Sequence, residues 1–254
     1  MNPLRLSSRV SARIGSLACL FFLFLITPLE AQVNVSLDPS ALNEPVDLDL
    51  GIQVLFVITL LSLAPSILLL MTSFTRIVIV LSFIRSALSL QGSPSSQIII
   101  GLSFFITLFV MSPTWMKIQR DVITPYSNEQ MTGQDAMTTA STHIKQFMLA
   151  QTRPKDLELF VSMAGSAGGS PATLPLNVII PSFVISELRT AFQMGFLLFV
   201  PFIMIDLVVA TVLMSMGMMM MPPVTVSLPL KVLLFVLVDG WSLIVRSLVE
   251  SFTF

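Results

Sequence analysis

Hydrophobic and polar positions are sorted along this chain into long blocks. Met1 to Ala31 begins with Arg5, Arg9 and Arg13, continues through an apolar core from Leu17 to Ile26, and ends in Thr27-Pro28-Leu29-Glu30-Ala31. That order is a secretory signal peptide. Its apolar core falls short of the roughly 20 residues that cross a bilayer, and the alternative is an uncleaved anchor. Gln32 to Gly51 is polar and acidic, with Pro39 and Pro45, and reads as an exposed extracytoplasmic lead-in. Ile52 to Met71 is apolar and long enough to span. Its helical pattern runs on past Arg76 and Arg85 to Leu90, where Gln91-Gly92-Ser93-Pro94 stops it. Ile98 to Met116 is a second apolar helix, so residues 52–116 read as a hairpin.

Residues 117–181 form the one sizeable polar segment. Within it Met137, Ala140, Ile144, Phe147 and Met148 recur at helical spacing, which predicts an amphipathic helix from about Gln134 to Gln151. Gly165 to Pro175 is a Gly, Ser, Ala and Pro-rich connector. Residues 182–254 then read as a second hairpin. Its first arm, Ala191 to Met221, would run roughly 45 Å as a helix, against a hydrocarbon core of about 30 Å. Its second arm, Val224 to Val249, contains Lys231, Asp239 and Arg246. The predicted fold class is all-α: membrane-associated helical hairpins, four long apolar helices and a small extracytoplasmic helical segment.

Composition agrees and narrows the chemistry. The 254 residues are 54% hydrophobic and 11% charged, against about 25% charged in a soluble domain. A net charge of −1 supplies no global field for nucleic acid, and the lysines and arginines are too scattered to make a local one, so nucleic-acid binding is not expected. One cysteine, Cys19, and one histidine, His143, exclude a disulfide framework and any metal site built from several such ligands. No nucleotide loop or cofactor motif is present, and none is expected. His143 sits beside the amphipathic stripe and reads as a solvated or hydrogen-bonded side chain rather than a proton relay.

Arg76 and Arg85 lie nine positions apart, on opposite faces of one helix. They read as a cytoplasmic positive flank, or as one arginine pairing with a neighbouring chain. The loop at 117–181, balanced in charge, belongs on the extracytoplasmic side. A charge inside a spanning helix costs about 2.5 to 3.5 kcal/mol, so Asp206, Lys231, Asp239 and Arg246 need partners or water. A hairpin centred between Met218 and Met219 draws Asp206 level with Lys231, an ion pair. One centred on Pro222-Pro223 draws Asp206 near Asp239, a carboxylate pair. The first is preferred, within one chain or between neighbours. Leu237-Val238-Asp239-Gly240 lacks the Gly-x-Gly-Asp pattern of intramembrane aspartyl proteases, and no enzyme activity is expected. At the turn, Met216-Gly217-Met218-Met219-Met220-Met221-Pro222-Pro223 offers flexible thioethers that suit either a soft gasket or a greasy buried turn.

Pro181-Ser182-Phe183-Val184-Ile185-Ser186-Glu187-Leu188-Arg189-Thr190-Ala191-Phe192-Gln193-Met194-Gly195-Phe196, Pro201 to Val209, the Met-Gly-Met knot, Leu228-Pro229-Leu230-Lys231 and Val238-Asp239-Gly240-Trp241 resemble the FliP family of flagellar type III export-gate membrane proteins. Met71 to Arg76 and Phe147 to Arg153 fit as well, so the likeness runs from about Ile52 onward. The resemblance implies a homo-oligomer, a pentamer by family expectation, that forms a helical ring with FliQ and FliR proteins in the inner membrane. It further implies FlhA and FlhB as neighbours in the flagellar basal body, and unfolded flagellar proteins as cargo. By the same resemblance Met218 to Met221 match a methionine-rich constriction and Asp206 and Lys231 a charged pair, while Glu187, Arg189, Arg76 and Arg85 are candidate subunit contacts. The alternatives are the export gate of a virulence injectisome, which the leader at Met1 to Ala31 disfavours, and a small-solute or ion channel.

Overall fold

The computed structural model describes residues 48–90, 92, 94–165, 171–218 and 221–252. The leader, most of the lead-in, Met219 and Met220 lie outside these residues. The chain divides into two compact units, 1–57 and 58–254. All interactions given below belong to the second.

Every described element is helical: α1 Leu48–Leu70, α2 Phe74–Ala87, α3 Ser96–Val110, α4 Ser112–Ile118, a π-helical turn Gln119–Ile123, α5 Thr124–Ser127, α6 Gly133–Gln151, α7 Pro154–Met163, a short 3₁₀ turn Pro171–Thr173, α8 Leu176–Ser215, α9 Pro223–Leu237 and α10 Gly240–Glu250. The uninterrupted helix expected from Ile52 to Leu90 is broken at Met71-Thr72-Ser73. There the Thr72 hydroxyl donates to the Leu69 carbonyl at 2.9 Å and accepts from the Phe74 N–H at 3.3 Å, giving the backbone a local alternative to the helix. Ile98 to Met116 is likewise interrupted, with a 55° bend between α3 and the helical run Ser112–Ser127. Pro113, which has no N–H to give, starts the new helix. Val224 to Val249 bends by 64° between α9 and α10. Its joint is Asp239, left-handed at φ 49° and ψ 54°.

The remaining long helix exceeds expectation. α8 has 40 residues, roughly 60 Å at the helical rise, and begins at Leu176, ahead of the Pro181 boundary. Pro181 and Pro201 both lie inside it. Among the described residues it is the one unbroken helix long and apolar enough to cross a membrane; each bent pair qualifies only when counted as a single span.

α2 packs along α8, and α6, α7 and α9 also dock on α8. The stripe Ile77, Val80, Leu81, Ile84, Ala87 and Leu88, all almost fully buried, follows the 3.6-residue period and builds the main core with Ala191, Phe202, Phe235 and Leu248. Close approach depends on Gly195: a Cβ there would stand 2.6 Å from Phe83 Cδ2. The Phe83 ring also meets Phe192 edge-on at 5.3 Å. A second core gathers Phe147, Met148, Leu174, Ile179 and Phe183 where α6 meets the start of α8. α6 starts at Thr132, whose side chain accepts from the Asp135 N–H at 3.2 Å. Its C-terminal half carries the buried stripe, whereas Met137 is exposed.

Candidate functional site: an anchored hairpin tip

The tip of the α8–α9 hairpin is cut by two local signals. Gly217, at φ 76°, takes the left-handed position that closes a helix. Its N–H donates to the Met214 carbonyl at 3.1 Å, and Met218 N–H donates to the Leu213 carbonyl at 3.0 Å, the paired bonds of a Schellman stop. Pro222 caps and Pro223 opens α9. Met216, Met218 and Met221 are exposed; Met216 and Gly217 belong to the helix stop, and Met218 and Met221 flank the tip on either side.

Below the tip the arms are tied. Lys231 Nζ donates to Asp206 Oδ2 at 2.7 Å, to Ser89 Oγ at 2.9 Å and to the Ala87 carbonyl at 3.2 Å. An ammonium has three protons and each has an acceptor, which is why Lys231 can be 1% exposed. The Ala87 carbonyl ends α2, where the helix dipole favours a cation. Ser227 Oγ donates to Asp206 Oδ1 at 2.5 Å. Asp206 and Lys231 are centred on the point between Met218 and Met219, as are Phe202 and Phe235, whose rings lie 6.5 Å apart. One hairpin register accounts for both rungs. The pair lies within one chain.

A second tie holds the opposite end of α2. Arg76 donates through Nε to Glu187 Oε2 at 2.8 Å and through Nη2 to Glu187 Oε1. Its Nη1 reaches Ser251 Oγ and the Ser251 carbonyl, both at 2.9 Å, and its guanidinium lies 3.9 Å from the centre of the Phe252 ring. Both partners are almost wholly buried. Arg76 is therefore buried rather than a solvated positive flank: α2, α8 and the segment around Ser251 meet on it. Arg85, on the other face, donates to Ser96 Oγ at 2.9 Å. Half-exposed Arg189 pairs with buried Asp156 at 3.1 Å, in the first turn of α7.

Asp239 stands apart from these ties, exposed at the α9–α10 joint. There Phe235 lies over Gly240, where a Cβ would be 2.4 Å from the ring, and meets Trp241 edge-on at 5.5 Å. Arg246 is exposed and pairs with Glu250 at 2.7 Å, one turn on. His143 Nε2 lies 3.2 Å from Asp121 Oδ2. Sequence reasoning missed Ser89, Ser227, Ser251 and Asp156 as partners. Ser227 carried a readable signal, one helical turn before Lys231; the others became partners through folding.

One helix long and apolar enough to cross a membrane, with buried ion pairs tying its hairpin internally, marks the chain as a membrane-class helical protein. The chain belongs to the FliP family, whose model matches residues 57–248. Flagellar biosynthetic protein FliP of Bacillus subtilis (strain 168) is 51% identical over 211 residues, covering 83% of this chain and 96% of the relative. The FliP of Caulobacter vibrioides is 48% identical over 225 residues, 88% of this chain and 83% of the relative. That of Aquifex aeolicus is 45% identical over 218 residues, 82% and 91% respectively. The chain is thus a component of flagellar biosynthesis.

Proposed function

We propose that this chain is a core subunit of the flagellar type III protein export gate. Copies of it ring a channel for unfolded flagellar proteins, and Met216, Gly217, Met218, Met219, Met220 and Met221 form the seal. The observation that carries this reading is the tip: exposed methionines on a short turn, between a glycine stop and a proline start, with the two arms tied to each other and, through Lys231, to the end of α2 immediately below. Flexible thioethers close around objects of varied shape, and a tied base keeps the soft part at the end of the lever. Support for assembly comes from apolar surface. Phe196 and Leu197 on α8, Val236 and Leu237 on α9 and Leu243 on α10 are each more than half exposed in the single chain, an amount that calls for lipid or protein cover. The partners are further copies of this chain, FliQ and FliR, with FlhA and FlhB beside them, in the inner membrane at the basal body. Residues 117–181 lie on the extracytoplasmic side. The names of the relatives favour the flagellar apparatus over an injectisome.

The test is genetic and structural together. Cells lacking the chain should retain flagellar substrates inside, and the intact chain should restore export. The purified oligomer should be a closed ring with Met218 at its narrowest level. An open array, or a ring narrowest elsewhere, would overturn the reading.

A further inference from the structure

A cleft of about 460 Å³ opens between the C-terminal half of α2, the turn after it and the first turn of α9. Ser82, Arg85, Ser86 and Ser89 line its polar side, and Leu90 and Val224 its apolar side. Its charge is one-sided. No Asp or Glu occurs in the sequence between Asp49 and Asp121. Asp206, which folding brings to this end of α2, is engaged by Lys231 and Ser227. Arg85 meets no carboxylate among the described residues and gives one N–H to Ser96 Oγ, so most of its donors are free.

The hydroxyls divide into two kinds. Ser82 and Ser86 give their protons to the carbonyls of Val78 and Ser82. Ser89 accepts from Lys231 and keeps its own proton to donate, with the ammonium behind it polarising the hydroxyl. A guanidinium fork beside a polarised hydroxyl, with no competing acid, matches the oxygens of a phosphate group.

We propose that this cleft binds a phosphate-bearing anion, held by Arg85 and Ser89. Two sources share that chemistry: a phospholipid headgroup and free phosphate. The apolar wall suits the headgroup, because α3 begins beside Arg85 with Ile98 and Ile100 exposed, an apolar track on which acyl chains can lie. The proposal does not depend on the export reading.

The test titrates the whole purified chain in non-ionic detergent with short-chain phosphatidylglycerol, short-chain phosphatidylcholine and inorganic phosphate, reading binding by native mass spectrometry and calorimetry. Phosphatidylglycerol should bind saturably and at least about tenfold tighter than phosphatidylcholine. Arg85→Gln should weaken it by about tenfold or more, as expected for losing a charged hydrogen bond. Val224→Asp, an exposed change that removes no hydrogen bond, should also weaken it by placing a like charge on the wall. Inorganic phosphate binding with the same Arg85 dependence assigns the free-anion form; phosphatidylglycerol binding alone assigns the headgroup form. No saturable binding of either, or binding unchanged in both variants, overturns the proposal.

Discussion

Glu187→Gln should be among the most destabilising conservative changes in this chain. The carboxylate and the Arg76 guanidinium are 0% and 3% exposed, so neither can turn to water when the other is lost. In this variant the guanidinium keeps Ser251 and the Phe252 ring but loses its counter-charge. Breaking a buried pair from one side costs about 3–5 kcal/mol. Arg76→Met leaves the opposite charge stranded and should cost a similar amount. At about 2–4 °C per kcal/mol for a unit of this size, each single change should lower the thermal midpoint by roughly 6 to 20 °C. Removing both charges together, Arg76→Met with Glu187→Leu, should cost far less than the two losses added, because replacing a whole buried pair by apolar groups is often neutral. Thermal unfolding followed by the fluorescence of Trp115 and Trp241 on purified protein, with Glu187→Leu also measured alone, supplies all corners of the cycle. Single losses below about 1 kcal/mol, or strictly additive ones, would refute a buried tie holding α2 to α8 and the chain end.

Asp206→Asn should cost about 1–3 kcal/mol, since buried Lys231 loses its counter-charge and keeps only Ser89 and the Ala87 carbonyl as full partners; a double-mutant cycle with Lys231→Met that shows no coupling contradicts the tie. Gly195→Ala should cost about 1–3 kcal/mol by driving a methyl group into the Phe83 ring. Gly240→Ala should cost a similar amount, partly recovered by Phe235→Leu, and both are read as thermal midpoints. Asp239→Gly should gain about 1 kcal/mol, because it relieves the left-handed backbone and removes no capping hydrogen bond; a loss would mean that the carboxylate has a role the backbone does not explain.

Much of this arrangement was legible before folding. Helical periodicity found α6 to within a residue or so of its ends, and hairpin register drew Asp206 level with Lys231. The long uninterrupted helices were misread because apolar periodicity continues across a break. The break at Thr72 is made by a hydroxyl that competes for backbone groups, a choice settled only in three dimensions. The joint at Asp239-Gly240 and the restart at Pro113 were readable, since Asp-Gly and an internal proline both mark turns, but the apolar flanks outweighed them. Arg76 and Glu187 stand 111 positions apart, and nothing in local spacing joins them. Their burial follows from α2 lying along α8, a packing that a single sequence does not state.

The central claim is that the methionine tip seals a channel. Its most direct test compares small-solute leakage through vesicles holding correctly assembled oligomers with wild-type or alanine-substituted Met218 to Met221. The account predicts tight wild-type vesicles and leaking variants, with oligomer assembly unchanged. Equal permeability in correctly assembled complexes would contradict it.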